Sequence, residues 1–279
     1  MGSGRPRRRT IVALVALATC VHAQRPAATT LDDILQKLQQ NLDAYDGSIP
    51  SFFCQEHLNS IVEQVGARGS SAPNYQTLAD SIFRLKREGP PGQTQELAES
   101  REIRSVNGHA PRSDDDLNAP SMIGGVFSGG LSVVSLEQKA CMRYTLERVR
   151  AGKPYVVRFT TVPAEERTDQ CILQEDGSGR AEIDPVSMQI ERLEIKVPHH
   201  AMQARTFNGG RGKATLASWL VSVDYAPVVL DARTFWLPKT IHSRMRAQGT
   251  QWSFEAAYGH YHKLEVTTRI LPAGDATPP

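Results

Sequence analysis

The chain has 279 residues, 22% of them charged, and a formal charge of +2. Arg5, Arg7, Arg8 and Arg9 precede any acid, so without residues 1–23 the remainder stands at −2. That balance excludes a nucleic-acid binder built on a basic surface, and the one later basic run is "RTFNGGRGK" at 205–213.

The first element is a leader. Its arginines are followed by the short apolar run "IVALVALA" (11–18) and by "CVHA", with small residues at the positions a signal peptidase reads. A secretory signal peptide over 1–23, cut after Ala23, is expected. The apolar run is too short to span a bilayer, and no later segment is long enough to be a transmembrane helix. Cys20 in "LATC" is a near-miss to a lipoprotein cleavage site, so a lipid anchor there is the alternative address. The expected location is exported, either periplasmic or associated with the outer membrane.

Residues 24–29 read as a linker. About 255 residues remain after cleavage, enough for one large domain over 30–268 with a core of its own. Thr30 starts a helix with Leu31, Ile34, Leu35, Leu38, Leu42 and Tyr45 on one stripe. Thr30 caps it, and Asp32 and Asp33 suit its positive end. From there strands dominate. They are expected at 51–62, 81–89 and 100–108, the last closed by the turn pair Asn107-Gly108. Residues 109–123 read as an acidic loop without calcium-ligand spacing. A short helix is expected within 124–140.

Strands resume at 141–149, 155–162, 169–176, 179–184 and 187–197. Gly177-Ser178-Gly179 reads as a tight connection and Asp184-Pro185 as the start of a type I turn. Ile190 falls off the parity of Leu193, Ile195 and Val197, which implies a bulge. Residues 198–216 read as a loop. Strands at 218–226, 235–245 and 252–266 complete the set, and 269–279 is expected to be a disordered tail. The class is α+β: about ten strands in a large antiparallel sheet, with a few helices gathered on one side.

Three cysteines follow the leader. Cys141 and Cys171 flank neighbouring strands and are expected to form a disulfide in an exported protein, with Cys54 left free and buried.

Residues 252–266, "WSFEAAYGHYHKLEV", raise the question of a metal centre. In an unbroken strand His260 and His262 would share the face of Trp252 and Phe254, with His242 on the preceding strand as a third ligand. Gly259 is a natural bulge, and a slip there would turn Tyr261 to the side first given to His260. The histidines are therefore read as sheet residues; no metal, cofactor or catalytic residue is assigned. There is no phosphate loop, nucleophile elbow, H-E-x-x-H or CxxC.

The order of "IPSFFCQE", "FRLKREG", "SREIRSVNG", "GRAEIDPVSMQIERLEI", "VDYAPVVLDARTFWLPKTI" and "YGHYHKLEV" resembles exported bacterial proteins common in acidobacterial-type genomes. Through them it resembles the lipoprotein-carrier (LolA-like, RseB-like) superfamily. That resemblance implies a curved antiparallel sheet, an unclosed half-barrel with helices on its concave side, and a greasy hollow for acyl chains. The matched motifs specify hairpins rather than chemistry. The aromatic rows Trp219, Val221, Val223, Tyr225 and Trp252, Phe254 are the candidate ligand-lining residues; core packing is their alternative. The first functional expectation is an exported, non-enzymatic protein that binds a hydrophobic ligand or lipoprotein. An envelope scaffold is the second, and a histidine metalloenzyme the third.

Overall fold

The computed structural model describes residues 29–65, 71–89, 96–112, 125–127, 130–150, 152–205 and 211–265. The leader, Cys20, residues 24–28 of the linker, most of the acidic loop and the tail lie outside them.

The helix α1 runs over Leu31–Ser48 and is capped as its first residues dictate. The Asp33 N–H donates to the Thr30 hydroxyl oxygen at 3.2 Å, and the Thr30 N–H donates back to the Asp33 carboxylate at 2.9 Å. Pro50 follows and cannot continue the helix. Ile34, Leu35, Leu38, Leu42 and Tyr45 are buried, so the apolar stripe faces the sheet.

Ten strands follow among the described residues: β1 (Phe52–Val65), β2 (Ser71–Glu88), β3 (Glu96–Val106), β4 (Met142–Leu146), β5 (Tyr155–Thr161), β6 (Ser178–Ile183), β7 (Ile190–Arg205), β8 (Arg211–Leu230), β9 (Arg233–Ala247) and β10 (Thr250–Lys263). They form one sheet in the order β3-β2-β1-β10-β9-β8-β7-β6-β5-β4. Every neighbouring pair is antiparallel, and the sheet is not closed. Among the described residues α1 is the one α-helix, so the molecule is mainly β and has fewer helices than expected. The helix foreseen in 124–140 is two short 3-10 turns, Gly130–Val133 and Glu137–Ala140.

Alternation builds the buried face. In β9, Ile241, Ser243, Met245 and Ala247 are buried while His242, Arg244 and Arg246 are exposed. Cross-strand rows continue this face over the sheet. Leu193, Val223, Ile241, Ala256, Leu58 and Ala79 are register partners in one row, and all are buried. The next row holds Val221, Ser243, Phe254, Ser60 and Thr77, also buried. Small residues face large ones, and the sheet fills this face with its own side chains.

Several sequence expectations are corrected here. Residues 169–176 are not a strand. Their short apolar run, Cys171 to Leu173, lies in a loop whose backbone is paired by side chains: Gln138 donates its amide to the Gln170 carbonyl at 3.2 Å and accepts the Ile172 N–H at 3.0 Å. Residues 198–216 are not one loop, because β7 extends to Arg205 and β8 starts at Arg211. Register shifts between Val197 and His200, and again between Gln203 and Arg205, take Pro198 into the strand without a ladder donor. Gly179 lies inside β6 rather than in a turn. A Cβ there would sit 2.0 Å from the Glu194 carbonyl oxygen and 2.4 Å from the Phe159 ring, so only glycine lets β5, β6 and β7 pack. β2 begins ten residues earlier than its pattern suggests; Pro73 sits beside a register shift opposite Val62 and Glu63.

Candidate functional site

α1 stands against the buried face, and Phe127 fills the space beside it. The Phe127 ring stacks on Phe83 at 4.3 Å between centroids and meets Tyr258 edge-on at 5.0 Å. Two side chains hold its backbone and that of Gly125. The Glu99 carboxylate accepts the N–H groups of Gly125 and Phe127 at 2.9 and 3.0 Å, and Tyr45 donates its hydroxyl to the Phe127 carbonyl at 2.6 Å. Two apolar residues between glycine pairs at 124–130 are the one trace of this plug in the sequence.

Next to it lies a charged cluster. Glu56 is fully buried in β1. Its carboxylate accepts the Arg101 Nε–H at 2.9 and 3.0 Å, the Ser81 hydroxyl at 2.5 Å and the Tyr258 hydroxyl at 2.8 Å. Arg101 also lies over the Phe83 ring, 5.2 Å from its centroid. Four strands are tied by this one carboxylate, and its oxygens are occupied, so the cluster reads as structural rather than catalytic.

An open cleft of about 140 Å³ separates α1 from the β8–β9 hairpin. Leu38, Leu42, Tyr45, Leu131, Phe235 and Trp236 give it apolar walls, and Tyr45 meets Phe235 edge-on at 6.3 Å. Asn41, Gln189, Thr234 and Arg233 add polar groups. The Asn41 amide donates to the Met188 carbonyl at 2.6 Å and fixes that side of the cleft. The hairpin turn carries positive φ at Asp231 (52°) and Ala232 (63°), which sets Arg233 at its end. Periodicity singled out Leu38, Leu42 and Tyr45, but nothing in the sequence showed that Phe235 and Trp236 would face them.

The candidate ligand-lining residues are split by the structure. Val221, Val223, Tyr225 and Phe254 are buried in the core. Trp219 and Trp252 are half-buried and flank Met245, their shared register partner. The Trp219 indole N–H donates to the Ser243 hydroxyl at 2.8 Å, and its ring lies 4.8 Å from that of His200. None of the six lines the cleft beside α1. The Tyr225 hydroxyl is buried with no hydrogen-bond partner among the described residues.

The histidines do not meet. The register of β1 and β10 slips where Gln55 faces Gly259 but Phe53 faces His262, and His260 takes φ 53°. Tyr261 therefore turns inward and donates its hydroxyl to the Pro238 carbonyl, while His260 and His262 are exposed. His262 stacks on Phe53 at 5.2 Å. His242 faces the Glu255 carboxylate at 3.7 Å, about 20 Å along the strand from His262. Among the described residues no group of three or more His, Cys, Asp or Glu could hold a metal ion.

Cys141 and Cys171 are bonded, with Cα atoms 5.4 Å apart. Cys54 is free and buried. Burial, and then the charge of Glu56, push its thiol up to about 12, so it stays protonated and inert at neutral pH.

No family model and no curated protein matches the chain. Among solved structures, the crystal structure of a DUF1329 family protein from Desulfovibrio piger is similar with a TM-score of 0.32 and 8% identity, covering 81% of this chain and 90% of the other. Among the described residues no helix is long and apolar enough to cross a membrane.

Proposed function

We propose that the protein is an exported, non-enzymatic binder of a hydrophobic ligand or of the acyl group of a lipoprotein in the cell envelope. One observation carries the reading: an apolar cleft open to solvent between α1 and the β8–β9 hairpin, in a sheet whose buried face is otherwise filled. A volume of about 140 Å³ matches a cavity that holds a single benzene-sized body. The cleft thus accepts one ring or the end of one chain. Burying about six methylenes contributes about 5 kcal/mol at 0.8 kcal/mol each. Association costs at least about 4 kcal/mol, which leaves about 1 kcal/mol, so a neutral six-carbon chain binds with a Kd of about 0.2 M.

The disulfide supports an oxidising compartment, in keeping with the leader. The proposal includes cleavage after Ala23 and a periplasmic or outer-membrane-associated location.

Titration with hexan-1-ol, followed by two-dimensional ¹⁵N NMR, tests the cleft. Shifts are expected at Leu38, Leu42 and Phe235 and at the Trp236 indole, and they should vanish in Ala44→Phe, which narrows the mouth. No shift into the tens of millimolar would sink the reading. A second reading, an envelope protein-interaction module, is favoured by the filled buried face and by exposed Leu78 (51%) and Val229 (68%).

A further inference from the structure

Among the described residues thirteen line the cleft beside α1; Arg233 is the one charged residue among these, and none is Asp or Glu. Arg233 is exposed, with no carboxylate partner among the described residues. The nearest acid in sequence, Asp231, is already engaged by Lys263 at 2.9 Å. The apolar walls and the lone cation therefore belong to one site. Its unmatched charge is positive, and it lies on the hairpin side of an opening whose interior suits a ring or about six carbons.

We infer that the cleft takes a small amphiphilic monoanion, a carboxylate on a body the size of one ring or a six-carbon chain, with the apolar part against Leu38, Leu42, Phe235 and Trp236 and the carboxylate on the Arg233 guanidinium. The assignment rests on the cleft being a hydrophobic ligand site and adds the class of ligand. A guanidinium presents a planar fork of donors that matches a carboxylate two bonds at a time. The head stays at the opening and keeps part of its water, so ionisation carries no burial penalty there. Without that contact, six carbons bind only weakly; with it, the anion gains the selectivity that burial alone cannot supply.

The test compares hexanoate with hexan-1-ol, two probes with the same chain and different heads, by ¹⁵N NMR titration of the wild-type protein and of Arg233→Gln. Hexanoate should bind about tenfold more tightly than the alcohol, with shifts at the Trp236 indole. Arg233→Gln should bring hexanoate to the alcohol's level, weakening hexanoate about tenfold and the alcohol by far less. The unchanged amide spectrum away from the cleft checks that the variant is folded. Equal binding of the two probes to the wild type overturns the anion assignment and leaves the hydrophobic reading standing. A preference that survives Arg233→Gln, or shifts that persist in Ala44→Phe, overturns it as well. Binding of neither probe removes both the assignment and the reading beneath it.

Discussion

At the scale of residues, polar groups in the core differ by whether their partners are present. Glu56 has Arg101, Ser81 and Tyr258 around it, so its burial depends on all three. Arg101→Met should cost about 3–5 kcal/mol in urea unfolding, because a buried carboxylate loses its cation. Adding Glu56→Gln should recover part of that loss, since the buried charge is gone, the amide oxygen accepts one of the two hydroxyls and the amide N–H donates to the other. Tyr225 is the opposite case. Its hydroxyl is buried with no partner among the described residues, and burial pushes its ionisation far above the ordinary tyrosine range. Tyr225→Phe removes a group that lost its water for nothing, so the unfolding midpoint should stay level or rise. An Arg101→Met protein as stable as the wild type would show that Glu56 draws on solvent.

At the scale of elements, caps, ion pairs and the disulfide fix how neighbours meet. Thr30→Ala removes the acceptor of the Asp33 N–H and should cost about 1 kcal/mol. Asp80 joins three strands: on β2, it accepts from Ser105 of β3 at 2.8 Å and meets His57 of β1 at 2.6 Å. The Ser105 hydroxyl first, then His57, hold its carboxyl below the ordinary 3.8. A depressed folded value contributes stability above the unfolded value, and that contribution is lost as pH falls through the folded one. Asp80→Asn should therefore flatten the stability curve below about pH 4 and leave its shape at pH 7 unchanged. The Cys141–Cys171 bond closes a separation of 30 residues. In the loop-entropy model its removal by Cys141→Ala with Cys171→Ala costs about 3–4 kcal/mol, read from urea midpoints.

These elements also show what the sequence makes legible. α1, the turn at Asn107-Gly108 and the bulge near Gly259 follow from local chemistry. Strand length does not. The first half of β2 and the far ends of β7 and β8 are poor in alternating apolar residues, and they are strands because a partner offers ladder bonds. The segment 169–176 errs the other way: its pattern is strand-like, but Gln138 and the disulfide bind it as a loop. The cleft was the least legible part. It joins α1 to a hairpin about 190 residues away, and no local pattern encodes that meeting.

At the scale of the whole molecule, the sheet is built from both ends of the domain. β4 to β10 follow one another in order, while β1, β2 and β3 are added on the far side of β10. The crossover from β3 to β4 brings Phe127 and the two 3-10 turns against the buried face. The seam between β1 and β10 pairs Phe52 with Lys263 and Gln64 with Thr250. This has a consequence for synthesis. A ribosome delivers β1 first and its partner last, so the early three-stranded fragment waits with a bare flank until almost the entire polypeptide has emerged. A chain stopped before Thr250 would leave two such flanks, on β1 and β9, free to zip onto other copies, and should collect as aggregate rather than as a smaller folded protein.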